Sequence, residues 1–435
     1  MYCPVCVCRG CKADLRQDDL CQATRRRRGD TEQVNKPASA FSLFAAPHRL
    51  LFFVGVCNLT LAMTWWAVWL VGLQSGSLPP APVLPPAWLH GFWMQYLVLP
   101  SFIFGFLLTV FPRWMGLAEL PRWCYAGVGG ALFAGQMALL GAAMGWQPGV
   151  WTALGMAIGG WVLGLWVLGR LLLQETGHTW HARSCWLALL LGLAGLLAFT
   201  VAVAGADPRW QATSVSIGTF GLLLPVYATV AHRMFPFFAG NVVAGYQAWR
   251  PASWLLLMWA LCLVHLLAQW WQAAMLMVLA DGGLLLLSLH ALWRWWPRGR
   301  MPALLATLFY GLLWWPLASL FYLLQDLAAL AGYPGWLERA PLHALGIGLF
   351  GSLLVAMVTR VSQGHSGRAL VMPTVAWIAL MGMQLVAVLR IVAPLLELPW
   401  HWHALAAVGW LLVLAPWLLW LGWIYWRPRV DGRPG

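Results

Sequence analysis

Residues 341–370 read PLHALGIGLFGSLLVAMVTRVSQGHSGRAL. Between His343 and His365 there is no acidic residue, and the only basic one is Arg360. A helix rises about 1.5 Å per residue, so the 22 steps from His343 to His365 cover roughly 33 Å, about one hydrocarbon core. The stretch reads as a membrane-crossing helix with an imidazole at each end. One helix cannot bring both imidazoles to one place. Any chemistry they carry therefore divides into two sites, one near each face.

The rest of the chain agrees with that solvent. Of 435 residues, 61% are hydrophobic and 9% charged, where a soluble protein carries roughly 25% charge. The 33 tryptophans suit rings that anchor at headgroup level. Nothing after residue 45 has the composition of an aqueous domain, which argues against nucleic acid as a partner. The expected fold is an all-α polytopic membrane bundle of about twelve transmembrane helices. The spans fall near 50–73, 89–111, 123–145, 149–173, 184–205, 213–235, 252–271, 273–293, 303–325, 341–362, 374–393 and 402–425.

Charge sets the orientation. The formal net charge is +13, and one alternating set of inter-span segments carries 23 of the 26 basic residues. The opposite set holds only Arg209, Arg339 and Arg390. The positive-inside rule then places both termini in the cytoplasm, with a basic tail over 1–46, a membrane domain over 47–427 and a short tail over 428–435. The N-terminal tail carries Cys3, Cys6, Cys8, Cys11 and Cys21, then the run Arg25 to Arg28. Four close thiolates could hold Zn2+ or Cu+. The tail has few apolar residues to fold around a metal, however, so disorder is the expectation. It lacks the apolar core of a cleavable signal peptide.

Three further features carry weight along the chain. The phrase F-G-x-L-L occurs at 104–108, 220–224 and 350–354, in spans 2, 6 and 10, which suggests a repeat of four spans. Pro100, Pro225 and Pro316 are expected to break spans 2, 6 and 9. Asp281 lies deep in span 8, where a carboxyl must be protonated or paired and face the bundle interior. His178 and His181 read as solvated loop residues, His290 as interfacial. His401 and His403 are two apart on a helix, so at most one points inward.

The histidines sort by depth into two layers. His48, His232 and His365 lie at the cytoplasmic side, His90 and His343 at the other. Imidazoles on several helices at one depth are what bis-imidazole haem, copper or both require, and Arg49, Arg233, Arg360 and Arg368 could pair with haem propionates. A histidine at a membrane edge can equally well just reach water.

Taken together, PHRLLFFVG (47–55), IFGFLLTVFPRWMG (103–116), HRMFPFF (232–238), HALGIGLFG (343–351) and GHSGR (364–368) resemble the NnrS family. The resemblance implies a twelve-span protein of the bacterial inner membrane that carries haem b and copper. It further implies a role in the nitric oxide response and nitrosative-stress tolerance, with nitric oxide or nitrosylated iron as partners, and leaves enzymatic turnover open. By position it assigns His48, His90, His232, His343 and His365 to the metal groups. Many relatives have a W-H-x-H-E-M-type phrase at span 2, whereas this chain reads WLHGFWM at 88–94. Two rivals come from other classes: a proton-coupled transporter built on Asp281, and an assembly factor for a respiratory complex.

Overall fold

A computed structural model describes residues 42–396 and 399–432. The cysteine-bearing tail lies outside the described residues. Among the described residues, twelve helices are long and apolar enough to cross a membrane. They are α1 (Pro47–Ser75), α2 (Pro86–Met115), α3 (Arg122–Ala143), α4 (Pro148–Gln174), α5 (Trp180–Val203) and α6 (Arg209–Val242). The second half comprises α7 (Ala252–Trp270), α8 (Ala274–Trp295), α9 (Ala303–Leu330), α10 (Ala340–Ser366), α11 (Thr374–Leu395) and α12 (His401–Trp426). There is no strand among the described residues. An all-α polytopic bundle is what the composition required.

One packing scheme occurs three times. Helices α1 and α2, α5 and α6, and α9 and α10 pair, as do α3 and α4, α7 and α8, and α11 and α12. The fourth helix of each unit packs on the first of the next, and α12 returns to α1. The second helices, α2, α6 and α10, lie inside this ring. Over their most apolar stretches they are 83%, 78% and 72% buried, a level that only α9 of the ring (72%) matches, while outward Leu385 and Leu419 are 74% and 75% exposed. Lipid solvates such leucines as well as a protein core does, so outer helices can stay apolar all round. Inside, small residues set the fit.

The three inner helices share a second trait. Each contains a π-helical segment in its first half: Trp93–Val98, Ile217–Leu223 and Ala344–Gly351. These are the helices that share F-G-x-L-L. The prolines expected to break α2 and α6 instead follow the π segments directly, and the helices continue through them. Pro100 has no N–H for the Tyr96 carbonyl, and an unpaired carbonyl in hydrocarbon is costly. Trp161 of α4 donates its indole N–H to that carbonyl at 3.0 Å. The first two π segments touch through Gln95, whose amide donates to the Val215 carbonyl and to Thr219 Oγ1. Gly218 lies under that amide, where a Cβ would come within 2.7 Å of it.

Both ends of the described chain meet at one face, where Arg49 donates to the Arg427 carbonyl at 2.7 Å. We call it the terminal face and its opposite the far face.

Candidate functional site: a cavity among the inner helices

A cavity of about 430 Å3 lies toward the far face. All three π segments line it, through Met94 and Gln95, through Thr219 and Phe220, and through Gly346 and Phe350. π segments shift side chains off the regular helical register, and they recur at functional sites. The outer helices add His265, Asp326, Arg390 and His403.

His90 and His343 both line this cavity, just ahead of the first and third π segments. They lie within electrostatic reach of each other and of Arg339 and Arg390. His343 Nδ1 is 2.8 Å from the Arg339 carbonyl, one turn earlier. A carbonyl only accepts, so Nδ1 carries the proton and Nε2 keeps its lone pair. His90 stacks on Trp66, with centroids 4.5 Å apart and planes 11° apart, and its buried Nδ1 has no partner. His403 also has a buried, unpartnered Nδ1, whereas His401 is exposed, as their spacing required. The loop before α10 passes the cavity with Glu338 at φ +46°, a left-handed backbone uncommon for a side chain of that size.

The terminal face holds a different arrangement. His48 of α1 and His365 of α10 meet ring on ring, with centroids 4.3 Å apart and planes at 41°. The His48 backbone N–H donates to Thr109 Oγ1, and Arg113 reaches His365 Nε2 at 3.4 Å. The segment after α12 closes the pair from outside. Arg429 donates to the His365 carbonyl at 3.0 Å, and Val430 N–H to the Ser366 carbonyl at 3.1 Å. Asp431 pairs with Arg429 at 2.6 Å and holds its guanidinium above the ordinary value. Gly367 admits this tail: its φ is +73°, and a Cβ would meet the Asp431 carboxyl at 2.7 Å.

His232 does not join that pair. Its Nε2 contacts the Pro251 carbonyl at 3.2 Å, so Nε2 bears the proton and Nδ1 accepts from His181 Nε2 at 2.9 Å. Trp254 stacks on the ring. His181 is therefore no solvated loop residue. It opens α5 and turns inward onto α6, a placement that loop composition could not reveal. His290 is exposed and packs against Trp249 and Trp293.

The four arginines expected beside the histidines take other partners. Arg233 lies over Trp114 at 4.5 Å, Arg360 over Phe238 at 3.9 Å and Arg368 over Trp423 at 5.1 Å, while Arg49 is buried on the Arg427 carbonyl. None of them lines the cavity. Its cations are Arg339 and Arg390, two of the three arginines on the arginine-poor side.

Fold and cavity define a multi-pass helical membrane protein with a chamber lined by apolar side chains and a few polar and charged ones. The chain belongs to the NnrS family: the family model described as NnrS protein matches residues 42–429, nearly the whole chain. Among curated proteins none matches it.

Proposed function

We propose that this chain is a membrane haem protein of the bacterial inner membrane, and that its cavity is where it meets nitric oxide or nitrosylated iron. One observation carries the assignment. His343 stands at the wall of the cavity with Nδ1 fixed on a backbone carbonyl and Nε2 left as a donor. Haem and metal ligands are commonly oriented by such an outer hydrogen bond. His90, across an apolar lining and with an unpartnered ring nitrogen, is the second candidate ligand. Arg339 and Arg390 are placed to neutralise propionates, a role in which the guanidinium fork excels.

A bound haem would supply an iron that can take a diatomic ligand, and its distal polarity would govern that step. The protein's part is to hold His343 in one tautomer, wall the chamber with Phe220 and Phe350, and present cations at its rim. Three of the other histidines expected as ligands fit haem less well. His48 and His365 leave no room between rings 4.3 Å apart, and both nitrogens of His232 are engaged. Copper is proposed alongside haem with no ligand set assigned, since no group of three or more His, Cys, Asp or Glu is placed to hold a metal ion among the described residues.

The test is a pyridine-haemochrome and metal analysis of protein purified from haem-replete cells. We expect a Soret band that His343→Ala removes. A colourless wild type would sink the proposal. Uptake into proteoliposomes that needs Asp281 but not His343 would put a transporter in its place.

A further inference from the structure

A second group of ionisable side chains borders the same cavity. His265 of α7 and Asp281 of α8 are 2% and 1% exposed and meet at 2.8 Å, Nδ1 to Oδ1. Asp326 of α9, 5% exposed, approaches Asp281 closely enough to share a hydrogen bond. Asp281 Oδ2 and Asp326 Oδ2 are both buried and find no donor in the described chain. Two carboxylate oxygens can only attract each other when a proton lies between them. Phe220 of the second π segment stacks on His265 with centroids 3.7 Å apart. The other titratable neighbours are Cys262, one turn before His265, and Tyr322, one turn before Asp326. No arginine or lysine pairs with the cluster among the described residues.

Charge decides how many protons it holds. A net charge buried without a counter-ion is costly. The cluster is neutral with both carboxyls protonated, or with an imidazolium, one carboxylate and one carboxylic acid. Removing one proton leaves a charge of minus one. His265 and Asp326 line the cavity while Asp281 does not, so the exchangeable proton has a route to the chamber.

We propose that His265, Asp281 and Asp326 form a proton-loading site that exchanges one proton with the cavity. The Asp326 O–H bond breaks and its proton passes to a water molecule in the chamber, which becomes hydronium. The carboxylate left behind regains a proton from the chamber later, and no electron moves. The site balances charge gained or lost by whatever binds there, and it does not depend on that ligand being haem.

The experiment is infrared titration of the full chain reconstituted in lipid, in H2O and in D2O buffer. We expect a carboxylic-acid C=O band that titrates and shifts in D2O, with Asp281→Asn or Asp326→Asn each abolishing the titrating band. A wild type without a titrating acid band overturns the proposal, and so does a band that survives both substitutions. Gly346→Trp, at a cavity-lining glycine whose Cβ would meet nothing within 4 Å, tests the route. Slower deuterium exchange of the band is expected, and an unchanged rate overturns the connection to the cavity. None of these measurements uses haem, so their failure leaves the haem proposal where it stands.

Discussion

The two ends of α10 make an instructive pair. At the far end His343 faces a chamber of about 430 Å3 with one nitrogen locked and the other available. At the terminal end His365 is stacked on His48 and roofed by Arg429 and Val430 of the segment after α12. Both imidazoles come from one helix, and both have a histidine from another helix close by. What separates them is space. A site for a large planar group needs a void that neighbouring side chains decline to fill, and the far end has one of about 430 Å3. The terminal end is built as a clasp, joining α1, α10 and the C-terminal tail.

The sharpest way to break this contrast is to truncate one histidine of each kind. His343→Ala should lose the Soret band entirely, and His48→Ala should keep it. Equal loss in both would mean that the void is not what selects the ligand. Next in size is Trp161→Phe, which keeps an aromatic but smaller side chain and strips the donor from the carbonyl freed by Pro100. Leaving that acceptor buried and unpaired should cost about 1–3 kcal/mol, measured by unfolding in detergent, and a neutral result would show that water or a shifted helix satisfies it.

Gly367→Ala tests the clasp. A left-handed backbone costs an L residue about 1–2 kcal/mol, and the added methyl also crowds Asp431. We expect earlier protease cleavage after α12 with haem content unchanged; loss of haem would tie the two ends together. The smallest effect concerns Tyr246, in the loop before α7, whose hydroxyl donates to the Trp295 carbonyl. Burial pushes its phenol up to about 12, above the usual value of about 10. A raised folded-state value means the contribution is complete below about pH 10 and is lost as pH climbs through 12. Wild-type stability should therefore fall more steeply than that of Tyr246→Phe in that window, and parallel curves would rule the contribution out.

Some of the site was within reach of the sequence. His265 and Asp281 lie at similar distances from the tight turn at 271–273, so an antiparallel hairpin places them opposite each other. Helical spacing required that at most one of His401 and His403 turn inward, and the structure shows it is His403. Proximity in sequence to the candidate histidines, by contrast, drew attention to Arg49, Arg233, Arg360 and Arg368. Those side chains cover aromatic faces or a backbone carbonyl, while Arg339 and Arg390, two exceptions to the charge bias, border the cavity. Likewise His181 sat in a segment of loop composition, and only its contact with His232 shows its direction.

The sequence by itself determined that the chain lives in a bilayer, that it crosses twelve times, and which helices share a motif. Those facts follow from solvent and length, because hydrocarbon leaves a backbone few choices. The tertiary structure decided that α2, α6 and α10 are the inner three, that their π segments surround one chamber, and which imidazoles face it. Rotation of a helix about its axis, and the partner across from it, depend on side-chain fit between segments far apart in the chain. No local pattern encodes that fit when every face of a helix is apolar.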